Sequence, residues 1–105
     1  MVRVVNLRNY KLYPNEVLIK VDRTSALGNP FLMKDESHRD EVCDEYETYF
    51  QKQVVENPRF LNDLKRIAMI AREKDIALAC WCFPKRCHAE VIKKYIEGEI
   101  KWLKK

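Results

Sequence analysis

Glycine is scarce in this chain, with two among 105 residues, and proline is little commoner at four. There is no low-complexity tract and no internal repeat, and 47% of the residues are apolar, so the composition excludes a disordered segment. No apolar run approaches the roughly 20 residues of a membrane span, and no signal peptide is expected before Met1-Val2-Arg3. These absences give the expectation of a cytoplasmic protein without membrane association. Its four cysteines should then stay reduced, and a disulfide framework is not expected. The length allows one small core, so residues 1–105 are expected to form a single domain.

The formal net charge is +4 and the pI near 8.9. Much of the excess falls on the last predicted helix, at Lys93, Lys94, Lys101, Lys104 and Lys105, where cations complement a helix C-terminus. No stripe of interleaved arginine and aromatic residues accompanies them, and specific nucleic-acid recognition is not expected.

What the chain does have is a concentration of reactive side chains between Leu78 and His88 (LACWCFPKRCH). Three of the four cysteines, one histidine and one tryptophan fall there. Ile76 to Cys80 reads as a short strand buried on both faces of a parallel sheet, and His88 opens a helix. A strand that turns into a helix N-terminus directs unpaired N–H groups and the helix dipole at an anion, and Lys85 and Arg86 add charge beside it. Cys80 and Cys82 are two apart on an extended segment and share a side. Cys87, at the helix start, is placed for a lowered thiol pKa.

Three readings of this segment compete. The cysteines can be small buried hydrophobes. Cys80, Cys82, Cys87 and His88 are also the right types for a tetrahedral zinc site, although C-x-C-x4-C-H is not the usual pair of knuckles. The third reading, preferred here, is a turn in which Cys82, Cys87 or His88 touches a ligand or substrate. No cofactor is required by it, with zinc the one metal the residues could hold.

Elsewhere the pattern alternates between sheet and helix. Val2–Leu7 and Val17–Val21 read as strands separated by a turn at Pro14-Asn15. Ser37 is the expected cap of a helix running to about Glu56, with Asp40 in the capping-box position and Val42, Tyr46, Tyr49, Phe50 and Val54 at helical spacing. Cys43 and His38 are read as packing and surface residues of that helix, and Arg39 as the side chain that faces a ligand. Asn57-Pro58 caps and starts the next helix, whose apolar face is Phe60, Leu61, Leu64, Ile67, Ala68 and Ala71. The last helix, His88 to about Leu103, packs through Val91, Ile92, Tyr95, Ile96, Ile100 and Leu103. Trp102 is read as a core contact or part of a homodimer surface.

The resulting order β-β-α-α-β-α implies a small Rossmann-like α/β sheet of about three strands, flanked by helices. The helical pair makes a right-handed crossover, so the second and third strands run parallel. The loops that follow them then leave the same sheet edge, where ligands bind in open α/β folds. The first loop, Arg23 to Phe31, bends at Gly28-Asn29-Pro30, where glycine permits positive φ and proline holds Asn29 extended. The expected pocket gathers Arg23, Ser25, Asn29, Lys85, Arg86, Cys87 and His88, with Asn6, Arg8 and Arg39 at its margin and Trp81 and Phe31 as apolar walls. A phosphate-bearing, nucleotide-like small molecule suits that mixture.

The pairing of R-x-S-x-L-G-N-P-F (Arg23 to Phe31) with L-x-C-W-C-x-P-x-x-C-H (Leu78 to His88) resembles a family of small phage and bacterial proteins catalogued as a domain of unknown function. The resemblance spans most of the chain. It implies an α/β architecture, frequent phage or mobile-element origin (hence a host cytoplasm) and no settled activity. The chain departs from the family pattern at Ala89, where glycine often follows the Cys-His pair, and at Asp22-Arg23-Thr24, in place of Gly-Arg-Pro.

Three functions are compatible with these residues. The first is a binding protein that holds or sequesters a nucleotide-like molecule in the cleft. The second is an enzyme acting on a nucleotide or nucleoside, with Cys87 or Cys82 as nucleophile and His88 as general acid or base. No orienting third group is adjacent in sequence, with Asp22 and Glu90 the candidates. The third is a zinc-stabilised protein-interaction module.

Overall fold

The computed structural model describes residues 1–103, and side-chain packing as far as residue 99. The expected contacts of Ile100, Trp102 and Leu103 and the lysines at 101, 104 and 105 fall outside the described side chains. Three strands, β1 (Val2–Asn6), β2 (Glu16–Lys20) and β3 (Asp75–Cys80), form one parallel sheet in the order β1-β3-β2. Three helices follow the expected pattern: α1 (Arg39–Glu56), α2 (Pro58–Ala71) and α3 (Ala89–Leu103). This is the mixed α/β, Rossmann-like arrangement expected.

β3 is central because its residues are the ones that tolerate complete burial. Ile76 to Cys80 are all within 1% of full burial. Val2 pairs with Ile76 and Val4 with Leu78 on one side, and Val17 pairs with Ile76 and Ile19 with Leu78 on the other. These side chains share one face, and Tyr46 and Phe50 of α1, Phe60, Leu64 and Ile67 of α2 and Ile92 and Ile96 of α3 pack onto it. The opposite face is held by a small cluster of Val5, Ala77 and Ala79, with Leu7 and Leu18 beside them and, among the described residues, no helical side chain. Alanine on the central strand lets its flanking neighbours close over it, so β3 is buried on both faces although the helical residues all pack on one.

The helix starts differ in how well they were anticipated. Asn57 caps α2 as expected, its Oδ1 accepting from the Arg59 and Phe60 amides at 3.1 and 3.4 Å, with Pro58 at the first position. Ser37 does not cap α1. A 3-10 turn, Glu36–His38, precedes the helix, and its cap is Asp35, whose carboxylate accepts from the Ser37 amide at 2.8 Å. Ser37 lies inside that turn, with its amide and hydroxyl both donating to Asp35, and so does not occupy a cap position.

Gly28 is also needed for a reason other than the one expected. Neither glycine adopts positive φ. A Cβ at Gly28 would instead lie 2.7 Å from the Arg23 Cα and 2.8 Å from the Asp22 carbonyl carbon, both backbone atoms that cannot swing aside. The loop doubles back through the bonds Ser25 N to Asp22 O (3.0 Å) and Gly28 N to Ser25 O (3.2 Å), and only glycine fits between the passes. Gly98, by contrast, faces open space within α3. Gly28→Ala should therefore destabilise the fold by about 1–3 kcal/mol through overpacking, and Gly98→Ala should stabilise it by about 0.5–1 kcal/mol. Urea denaturation of the two variants beside wild type checks both signs.

Candidate functional site

Because β2 and β3 are parallel, the segments that follow them leave the sheet together and are tied to one another. Val21, just beyond β2, donates its N–H to the Ala79 carbonyl at 3.0 Å. The Val21 carbonyl accepts from His88 Nε2. Asp22 accepts from the Trp81 indole N–H at 3.1 Å. Behind them, the Tyr46 hydroxyl donates to the Leu27 carbonyl at 2.7 Å and fixes the Gly28 loop to α1.

The segment from Trp81 to His88 is braced from two sides. The Asn6 amide, at the end of β1, donates to the carbonyls of Trp81 (3.2 Å) and Phe83 (2.8 Å). On the other side Arg39 donates to the Arg86 carbonyl at 3.0 Å, and the Cys43 thiol approaches the same oxygen at 3.6 Å. The Arg86 guanidinium reaches back to Asp40 (3.0 Å) and Asp44 (2.8 Å). The Phe83-Pro84 peptide within this turn is cis.

Between these two segments and the start of α1 lies a cavity of about 360 Å³. Of the residues expected to meet a ligand, Arg23, Asn29, Arg39, Arg86, Cys87 and His88 line it, as do Cys80, Cys82, Trp81 and Phe31. The lining is completed by Asp22, Thr24, Met33, Val42 and Cys43. Three expected residues lie outside that lining. Ser25 donates its hydroxyl to the Asp22 carbonyl at 2.9 Å, Lys85 pairs with Glu36 at 3.2 Å, and Arg8 is exposed beyond β1. Asn6, too, serves as a brace and does not line the cavity. A larger groove of about 1010 Å³ runs past Tyr10, Lys11, Glu47, Lys93 and Lys94 and shares Cys43, Arg86 and Cys87 with the first.

Charge in the cavity is distributed more narrowly than the sequence suggests. Arg39 makes a two-pronged pair with Glu36, 2.8 Å on each side. That pairing, with Lys85 adding a second cation, holds the Glu36 carboxyl down to about 2. Arg86 is committed to Asp40 and Asp44. Arg23 differs: its one protein partner among the described residues is the neutral Phe31 carbonyl, at 3.1 Å. Arg23 is thus the cation of the cavity left to meet an anion.

Asp22 is the residue sequence reasoning undervalued. It is 7% exposed, and its carboxylate accepts from the Thr24 hydroxyl (2.6 Å), the Thr24 amide (3.3 Å) and the Trp81 indole. The Thr24 hydroxyl bond is the largest influence holding its pKa below the ordinary 3.8, opposing burial. An acidic residue two before a threonine at a strand end is the local signal for such an Asx turn.

The thiols also depart from expectation. Cys87 is not the acidified one. Its thiol lies 3.0 Å from the Cys80 sulfur, and hydrogen bonding to Cys80 together with burial pushes it up. Cys80 is the acidified partner, drawn down by that bond and by the Cys82 and Phe83 amides. Cys82 stands apart beside Arg39, and among the described residues no three His, Cys, Asp or Glu side chains gather as metal ligands.

His88 is 7% exposed and stands edge-on to Tyr46, with ring centroids 5.0 Å apart. With Nε2 bonded to a carbonyl it is the donor, and Nδ1 keeps the lone pair. Burial lowers its pKa from the ordinary 6.5. A lowered histidine pKa means the unfolded chain takes up the proton first, so stability should fall as pH drops below 6.5 and continue falling to the folded-state value. His88→Gln, which keeps an amide donor for Val21 without a titrating ring, should flatten that limb in urea denaturation series between neutral and mildly acid pH. An equally steep wild-type and variant dependence would contradict the assignment.

Among the described residues no helix is long and apolar enough to cross a membrane. Comparison with known sequences finds a family described as a domain of unknown function (DUF4326), matched over residues 5–98. No curated protein and no solved structure matches. The match takes in both loops of the cavity and the two strands, β2 and β3, that carry them, and the chain belongs to this DUF4326 family.

Proposed function

We propose that this domain binds a phosphate-bearing, nucleotide-like small molecule in the cavity between the Gly-Asn-Pro loop and the Cys-His turn. The observation that carries the reading is the grouping of side chains around one cleft at the carboxyl edge of a parallel sheet. Trp81, Phe31, Met33 and Val42 offer apolar surface for a planar ring. Asn29, 8% exposed, spends its Oδ1 on the Phe31 amide at 2.9 Å, which leaves its Nδ2 donors for a polar ring edge. Arg23 supplies the fork for a phosphate. A volume of about 360 Å³ lies within the range of small-molecule sites.

Binding without turnover is favoured over chemistry by a Cys87-His88 pair. The His88 Nε2 proton is committed to Val21, and the Cys87 thiol is pushed up through its contact with Cys80. A protein that holds and sequesters its ligand needs neither group to react. The enzyme reading retains one specific support, the Cys82 thiol on the cavity wall beside the Arg39 guanidinium.

Calorimetric titration with nucleoside mono-, di- and triphosphates should find a ligand. Arg23→Ala and Asn29→Ala should each weaken it at least tenfold, about 1.4 kcal/mol, with unchanged far-ultraviolet dichroism. Unaltered affinity in both variants would refute the site. Product formation lost in Cys82→Ala would favour the enzyme.

A further inference from the structure

At the back of the cavity two thiols are close enough to react with one another. Cys80 Sγ and Cys87 Sγ lie 3.0 Å apart, the one thiol-thiol contact among the described residues. Cys80 is the last residue of β3, and Cys87 stands two residues before α3. The turn between them is braced by Asn6 and Arg39, so two fixed elements present the pair. Both side chains are shielded from bulk solvent, at 1% and 4% exposure, yet both form part of the cavity wall. A small oxidant can therefore reach both by way of the cavity, and Cys87 also from the larger groove that it shares. The Cys82 and Phe83 amides and the Cys87 thiol stabilise Cys80 as the thiolate, the form that attacks peroxides.

We propose that Cys80 and Cys87 form a redox-active dithiol, which hydrogen peroxide entering the cavity converts to a reversible intrachain disulfide. The Cys80 thiolate attacks one peroxide oxygen and the O–O bond breaks. The departing hydroxide takes the Cys87 proton as water, leaving Cys80 as sulfenic acid and Cys87 as thiolate. Cys87 then attacks the Cys80 sulfur, the S–O bond breaks, and the second hydroxide leaves as water with a proton from solvent. The two sulfurs lose two electrons, and the peroxide gains them. Cys43, which points its thiol at the Arg86 carbonyl, and Cys82, beside Arg39, take no part. Trp81 and His88 directly adjoin the two sulfurs in sequence, so the reduced and oxidised forms differ at the cavity wall itself.

The test is peroxide treatment of the reduced full chain, followed by alkylation in denaturant and mass spectrometry. The expected product has lost two hydrogens, keeps two of its four thiols open to alkylation, yields a Cys80-Cys87 cross-linked peptide and returns to the starting mass with dithiothreitol. The Cys43→Ser/Cys82→Ser double variant should behave identically, while Cys80→Ser should lose the cross-link. If Cys80→Ser does not fold, the double variant decides alone. Four alkylated thiols after peroxide, a bridge through Cys43 or Cys82, or irreversible oxygen addition at Cys80 would overturn the proposal.

Discussion

Everything at the site depends on β3 pairing in parallel with both β1 and β2. A parallel pair must end at one edge, so the chain leaving β2 at Val21 and the chain leaving β3 at Trp81 are brought together before any side chain is chosen. The cross-ties that follow, Val21 to Ala79 and His88 and Asp22 to Trp81, are local consequences of that adjacency. β1 contributes in the same way. Its end places Asn6 under the turn, where the amide donates to two of the turn's carbonyls. The cavity walls are thus held by hydrogen bonds to β1 and α1 as well as to one another.

The second constraint is charge. The start of α1 carries Glu36, Asp40 and Asp44, and each meets a cation that sequence alone would assign to a ligand: Lys85 and Arg39 at Glu36, and Arg86 at Asp40 and Asp44. These pairs are largely exposed and contribute little stability individually. Their consequence is positional, since they hold the Cys-His turn against α1 and leave Arg23 as the cation of the cavity lining without a carboxylate partner among the described residues.

Much of the fold was legible because its signals are local. Ile76 to Cys80 is an unbroken apolar run, and Asn57-Pro58 is a cap followed by a residue pre-set for the first helical turn; both behave as read. The convergence of the two loops was legible as well, because a helical crossover between strands has a defined hand. What was hidden depends on distance in sequence or on unseen space. The partners of Arg86 lie more than forty residues away, and no spacing rule links them. Gly28 looked like a positive-φ residue, when what demands it is the close return of its own loop. Cys87 was expected to be the acidic thiol from its place before a helix. The Cys80 sulfur beside it reverses the order, a contact set by how β3 and α3 pack.

The most direct test of the ligand cleft is a heteronuclear NMR titration of the isotopically labelled chain with the nucleoside phosphate that binds in calorimetry. The account predicts shifts confined to Asp22–Phe31, Arg39–Cys43 and Trp81–His88, with the Trp81 indole N–H among them because its bond to Asp22 borders the cavity. Shifts confined instead to the groove by Tyr10, Lys11 and Lys94, or no shifts with any nucleoside phosphate, would contradict it.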